Sequence, residues 1–293
     1  MKILALHGLG SSAAMLKEQL TPFIRELGPS YRFTFVDGAV PCGRGPGVPQ
    51  WASGPFYSYA TGFSPPEVRD SITRLDQFVE ENGPFDGVFG FSLGSALAIA
   101  YILDRQQRQA SPPFSFAVFF SPIFVASPDA GYCADLLARM LDDDHAAFRA
   151  AFPDGDFAPL LDVGGDSPGD GISAAAKRTF AEYLQTVLSM HSTMGMILPN
   201  TQLDFFSGGR LDAIPRLLHP LLTKSRVRIP VVYVTGEKDS PAIAEQSRVA
   251  KELCMAPMTQ VYKHARGHDI PFRKSDVQAI ISLIENATEV AFE

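Results

Sequence analysis

Six short runs along the chain are almost continuously apolar: Lys2–Leu6, Arg32–Val36, Gly87–Phe91, Phe116–Phe120, Val231–Val234 and Met258–Tyr262. Unbroken runs, rather than alternating ones, suit strands buried on both faces. Stretches of helical period lie between them. Val68, Ile72, Leu75 and Val79 share one helical face; Ser64-Pro65-Pro66-Glu67 supplies a capping box in front of it, and Asn82-Gly83-Pro84 ends it. Met15–Leu27 is amphipathic, with Pro22 placed to break or kink it. Ser275 is positioned to cap a last helix with Val277, Ile280, Ile281 and Ile284 on its buried face. Strands alternating with helices predict an α/β fold with a parallel sheet.

Two stretches depart from this rhythm. Ala39–Phe63 is a long loop rich in Gly, Pro and aromatic residues, including Trp51, Phe56 and Tyr57. A loop of this length inside a compact domain points to function, and its aromatic content argues against disorder. These three aromatics are candidate substrate contacts. The second stretch separates the fourth and fifth strands, with helix-like segments at Ala134–Phe152, Ala174–Met190 and Leu211–Thr223. It reads as a helical cap, residues 127–228, inserted into a core made of residues 1–126 and 229–293. The alternative is a set of packing helices beside the sheet. The insert carries Met190, Met194, Met196, Phe205 and Phe206. Met194 and Phe205 in particular are candidates to meet a long or bulky apolar group, since methionine adapts to irregular shapes.

Composition narrows the class. The 293 residues hold 25 basic and 32 acidic side chains, a net charge of −7. No basic stripe invites nucleic acid or an anionic membrane surface. No apolar run approaches the roughly 20 residues needed to cross a bilayer. The 3 cysteines, Cys42, Cys133 and Cys254, are far apart and odd in number. They form no disulfide framework and suit a reducing, cytoplasmic compartment. The histidines show no metal-ligand spacing with a carboxylate, so neither metal nor other cofactor is expected.

The chemistry concentrates at Gly90-Phe91-Ser92-Leu93-Gly94, between a strand-like run and a helix-like one. Gly-x-Ser-x-Gly at such a junction makes a nucleophile elbow, a tight turn that lifts the serine oxygen above the sheet. A serine hydroxyl needs a base, and the base needs a group to orient it. Asp239 follows the fifth strand and His268 the sixth, in the chain order Ser, acid, His. Glu237, Asp204 and Asp212 are rival acids, and His264 is a rival base. All the candidate groups fall at the carboxyl ends of strands, where parallel α/β sheets bind ligands. The backbone N–H of Leu93, at the start of the elbow helix, is a candidate oxyanion donor. A second is the N–H of Leu9, in His7-Gly8-Leu9-Gly10 after the first strand.

One competing class remains. Gly8-Leu9-Gly10-Ser11-Ser12-Ala13 also fits a dinucleotide-binding fingerprint, with Asp37 at the end of the second strand as the ribose acid. That reading leaves Ser92, Asp239 and His268 without a task.

His7-Gly8-Leu9-Gly10-Ser11-Ser12, Pro46-Gly47-Val48-Pro49, Gly54-Pro55-Phe56-Tyr57, the elbow, Gly236-Glu237-Lys238-Asp239 and Gly267-His268 together resemble the FSH-type serine hydrolases. The resemblance spans residues 1–125 and 229–290. It implies an α/β-hydrolase core with a six-stranded parallel sheet of order 2-1-3-4-5-6. It also implies esterase or thioesterase activity, since several fungal members release a polyketide from an acyl carrier protein. The long insert departs from compact members of that family and leaves pocket shape open.

Overall fold

A computed structural model describes residues 1–140 and 214–292, with scattered positions from 173 to 212. Its centre is a six-stranded sheet of order β2-β1-β5-β6-β7-β8. The strands are β1 (Lys2–Leu6), β2 (Arg32–Val36), β5 (Gly87–Phe91), β6 (Phe116–Phe120), β7 (Val231–Gly236) and β8 (Thr259–His264). Every neighbouring pair is parallel. Two further short strands, β3 (Val40–Pro41) and β4 (Tyr57–Ser58), form an antiparallel ladder within the aromatic loop. With that ladder set aside, the order is the expected 2-1-3-4-5-6.

The continuous apolar runs are explained by two cores, one on each face. Alternate residues go to opposite sides: Leu4 and Leu6 join one core, while Ile3 and Ala5 join the other. The same alternation separates Ala117 and Phe119 from Phe116, Val118 and Phe120. The helices α1 (Ala13–Gln19) and α2 (Thr21–Leu27) cover one face through Leu16, Leu20 and Phe23. The C-terminal helix, Lys274–Phe292, covers the same face through Val277, Ile280 and Ile284. On the other face lie α3 (Pro65–Asn82), α4 (Leu93–Gln107) and the helix Pro241–Glu252.

Helix boundaries follow the local signals. The capping box closes at Ser64, whose backbone N–H donates to Glu67 Oε2 at 3.0 Å. Pro22 sits in the first turn of α2, so the amphipathic run divides at Leu20. The last helix begins two residues earlier than expected, at Lys274, with Ser275 inside its first turn instead of capping it.

The insert differs more. Of Ala134–Phe152, α5 occupies Ala134–Met140, and the rest lies outside the described residues. Within Ala174–Met190 the described positions from 175 to 187 are helical, and Tyr183 and Val187 are buried in the core. No α-helix forms over the described part of Leu211–Thr223, where only Asp212 is helical, in a 3-10 turn. Leu217 instead bridges Ala126, and Leu218 N–H donates to the Val125 carbonyl at 2.8 Å. Pro215 and Pro220 explain why the segment is not an α-helix. Each removes a helical N–H, and the backbone between them pairs sideways with the chain leaving β6. Ile214, Leu217 and Leu218 thereby pack into the main core.

Candidate active site

The turn from β5 into α4 is set by what its glycines must approach. A Cβ on Gly90 would lie 2.6 Å from Ser95 Cα, and one on Gly94 would lie 2.2 Å from the Leu6 carbonyl oxygen. Only residues lacking that atom let helix and strands pack so closely. Between them Ser92 takes φ 53° and ψ −114°, outside the ordinary regions for an L-residue. Its N–H donates to the Phe120 carbonyl at 2.9 Å, which fixes the strained turn to the neighbouring strand.

His268 lies in the loop beyond β8, and its Nε2 is 2.9 Å from Ser92 Oγ. The Phe91 ring supports the imidazole from 5.2 Å, centroid to centroid. Asp239 follows β7, and its side chain is buried. Its Oδ1 stands 3.5 Å from His268 Nδ1, just beyond a well-formed hydrogen bond. Neither atom has another hydrogen-bond partner among the described residues. The two loops are fastened to each other: Glu237 N–H donates to the His264 carbonyl at 2.9 Å, and Lys238 N–H to that of Arg266 at 3.0 Å. Arg266 also pairs with Asp269 and lies over the Phe272 ring at 4.3 Å.

Ser121 was not signalled by the sequence. It is fully buried at the end of β6, with φ 39°, and its hydroxyl donates to Asp239 Oδ2 at 3.4 Å. Its one recognisable mark is position: it sits at the carboxyl end of a strand, level with Ser92 and Asp239.

The loop after β1 is braced from several sides. Gly38 N–H donates to His7 Nε2 at 3.0 Å, so His7 Nδ1 carries the proton and donates to the Gly8 carbonyl at 2.7 Å. Burial holds the His7 pKa below its ordinary value, which favours this neutral form. His7 N–H reaches Tyr59 Oη at 2.8 Å, and Tyr59 donates in turn to the Val36 carbonyl at 3.2 Å. Gly10 N–H goes to the Tyr57 carbonyl at 3.0 Å, and Gly45 N–H to the Gly10 carbonyl at 2.9 Å. These bonds leave the Leu9 N–H out. Leu93 is the first residue of α4, where helical N–H groups have no partner within the helix.

The rivals occupy other roles. His264 is buried, accepts the Arg266 N–H at Nδ1 (3.3 Å), and has its pKa lowered by burial. Glu237 is exposed, and Asp204 lies outside the described residues. Asp37 accepts the N–H of Ala13, the first residue of α1, at 2.7 Å. The place where a dinucleotide phosphate would meet that helix already holds a carboxylate. Among the described residues no cluster of His, Cys, Asp or Glu could hold a metal ion.

The substrate candidates fare differently from Ser92, His268 and Asp239. Trp51 is 83% exposed, while Phe56 is half-buried against Arg44 and Tyr57 belongs to β4. None of the three lines the apolar cleft that starts at Leu93 and runs between α3 and α4. Met194 and Phe205 lie outside the described residues.

A serine, carboxylate and imidazole on the loops after β5, β7 and β8, at one rim of the sheet, is the arrangement of an α/β hydrolase. The model of the family described as Serine hydrolase (FSH1) matches residues 1–280. This chain belongs to that family. Among its relatives, Esterase alnB of Emericella nidulans is 34% identical over 288 residues, covering 98% of this chain and 96% of that protein. Serine hydrolase cnsH of Penicillium expansum is 27% identical, covering 82% of this chain and 92% of the relative. Hydrolase FUB4 of Fusarium oxysporum is 26% identical, with 97% of each chain covered.

Proposed function

We propose that this serine hydrolase is an esterase or thioesterase that works through an acyl-enzyme on Ser92. The observation that carries the reading is the 2.9 Å approach of His268 Nε2 to Ser92 Oγ at a strained elbow. His268 takes the serine proton as Oγ attacks the acyl carbonyl. Asp239 fixes the ring so that Nε2 faces the serine, and it stabilises the imidazolium that forms. The present 3.5 Å separation tightens to a hydrogen bond when the ring is charged. The N–H groups of Leu9 and Leu93 receive the oxyanion, each contributing about 2.7–4 kcal/mol to the transition state. The imidazolium then protonates the departing alcohol or thiol. In the second half His268 activates water, which releases the acid and restores Ser92.

The leaving group falls to an ester or a carrier-bound thioester, since both pass through the same tetrahedral intermediate. In either case the apolar cleft beside the elbow suits an acyl group without charge. Cys133 and Cys254 have thiol pKa values pushed up by burial to about 11 and about 12, so neither competes as nucleophile. Among the described residues no helix is long and apolar enough to cross a membrane. Three free thiols fit the cytoplasm. The insert at 127–228 is read as a cap over this rim.

Incubation of the protein with acyl thioesters and esters, followed by intact mass measurement, tests the mechanism. A mass gain equal to the acyl group is expected, and Ser92→Ala removes it together with at least about a thousandfold of turnover. Retained turnover in Ser92→Ala ends the assignment.

A further inference from the structure

The proposed base is carried by a short loop that one side chain ties together. Residues 265–269, after β8, form a run of bends with no regular structure. Both ends of the run are anchored, since His264 and Ile270 are buried. Between them His268 holds Nε2 at 2.9 Å from Ser92 Oγ. The carboxylate behind the ring gives it little purchase, because Asp239 Oδ1 stands 3.5 Å from Nδ1. The Phe91 ring supports the imidazole, but from 5.2 Å and without a directional bond.

Arg266 supplies much of what shapes the loop. Its N–H donates to His264 Nδ1 at 3.3 Å. Its carbonyl accepts the Lys238 N–H at 3.0 Å, which ties this loop to the one bearing Asp239. That carbonyl passes close over Gly236, where a Cβ would lie 2.5 Å from its oxygen. The side chain then spans His268 in sequence. Arg266 Nε donates to Asp269 Oδ2 at 3.0 Å, and Nη2 donates to the same oxygen. The other Asp269 oxygen accepts the Ile270 N–H at 2.8 Å, which carries the clamp on to the buried end of the loop. The guanidinium also lies over the Phe272 ring at 4.3 Å. A lysine offers neither the planar fork nor the flat face for the ring. The two side chains are 36% and 31% exposed, so their charges contribute little to global stability. Their effect is local, on the backbone either side of His268.

We propose that Arg266 is a positioning residue for the reaction: its pair with Asp269 closes the loop around His268 and sets the distance at which Nε2 meets Ser92 Oγ. The proposal rests on the reading of Ser92 as nucleophile and His268 as base, and adds the side chain that places the base. Arg266 touches no reacting atom and acts only through the loop. A misplacement of about 1 Å between reacting groups can cost about a hundredfold in rate. A loosened clamp is therefore read in kcat and not in substrate binding.

The test is steady-state hydrolysis of p-nitrophenyl acetate by the whole chain, with kcat referred to active sites titrated by a fluorophosphonate. The natural protein is compared with Arg266→Met, Arg266→Lys, Asp269→Asn and the double variant Arg266→Met/Asp269→Asn. Arg266→Met and Asp269→Asn should each lower kcat at least about tenfold, with KM held within about twofold. Arg266→Lys should fall between them and the natural protein. The double variant should lose no more than the worse single one, since both remove the same clamp. Melting temperatures should stay within about 2 °C of the natural value, a split between rate and stability that a merely structural role would not produce. Asp269→Asn keeps the shape of the side chain and guards against a misfolded Arg266→Met. Unchanged kcat in the two single variants, or losses that multiply in the double one, overturns the proposal while leaving the esterase intact. A loss of kcat that merely tracks a large fall in melting temperature also overturns it. Absence of both ester turnover and fluorophosphonate labelling in the natural protein would sink the esterase reading itself.

Discussion

The acid of the proposed triad is held by one short side chain. Asp239 is buried, and Ser121 Oγ reaches its outer oxygen at 3.4 Å while the inner oxygen faces His268. Ser121 therefore acts on the reaction only through the carboxylate, as a positioning residue. Ser121→Ala removes a hydrogen bond of about 1 kcal/mol, so kcat should fall about fivefold with KM held. Asp239→Asn should cost far more, roughly ten-thousandfold, because the amide favours the wrong tautomer of His268. Steady-state kinetics of the two variants checks the ranking, and equal losses would move the positioning role elsewhere. The proposed triad, Ser92, Asp239 and His268, stands out in the sequence because each follows an apolar strand run in the order Ser, acid, His. Ser121 could not: Ser-Pro after a strand is ordinary, and its positive φ and its contact with Asp239 exist only once β6 and β7 lie side by side. Trp51 shows the converse. A lone tryptophan in a long loop suggests a contact, yet the side chain stands in solvent.

Strands announced themselves better than helices. Residues buried on both faces leave an unbroken apolar run whatever their surroundings, and the six runs became the six strands of the sheet. Helical period is less specific. Leu211–Thr223 has apolar residues at suitable spacing, but they serve an irregular segment pinned by Pro215 and Pro220 against the chain after β6. Neither the β3–β4 ladder nor its bonds to the Leu9 loop had a pattern long enough to read. The β5–α4 junction is the opposite case, because its sequence and its packing demand the same thing. The space that a Gly94 Cβ would need is filled by backbone, the Leu6 carbonyl 2.2 Å away, and backbone within a sheet cannot step aside as a side chain can. Gly94→Ala should destabilise the protein by about 3 kcal/mol or more, through overpacking with no rotamer to relieve it. Urea unfolding measures this directly. A midpoint matching the natural protein would mean that α4 can draw back from β1, and the elbow would be far less constrained than its geometry states.

Taken as one molecule, the protein encloses its sheet so fully that imidazoles are trapped inside it. His7, His219 and His264 are each buried, and burial lowers the pKa of all three below the ordinary 6.5. His7 is further committed to the neutral form, since its Nε2 accepts the Gly38 N–H. A lowered folded-state pKa has a definite consequence for stability. Above pH 6.5 these groups are neutral whether the chain is folded or unfolded, and they contribute no pH dependence. As pH falls through 6.5, the unfolded chain takes up protons that the folded one refuses. The unfolded state is then favoured progressively, until the folded-state values are reached and the loss levels off. Carboxylates with ordinary values titrate mainly below about pH 5, so the interval from 6.5 down to 5 isolates the histidines. The melting temperature should decline across that interval. A decline of this kind reflects proton uptake by the unfolded chain, so it should persist in Ser92→Ala, which leaves the buried imidazoles in place. Calorimetry at half-unit steps of pH provides the measurement. A melting temperature that stays level or rises between pH 6.5 and 5 would show that the interior accommodates the charged rings. The neutral His7 bridge between β2 and the Leu9 loop would then have to be abandoned as the brace of the proposed oxyanion site.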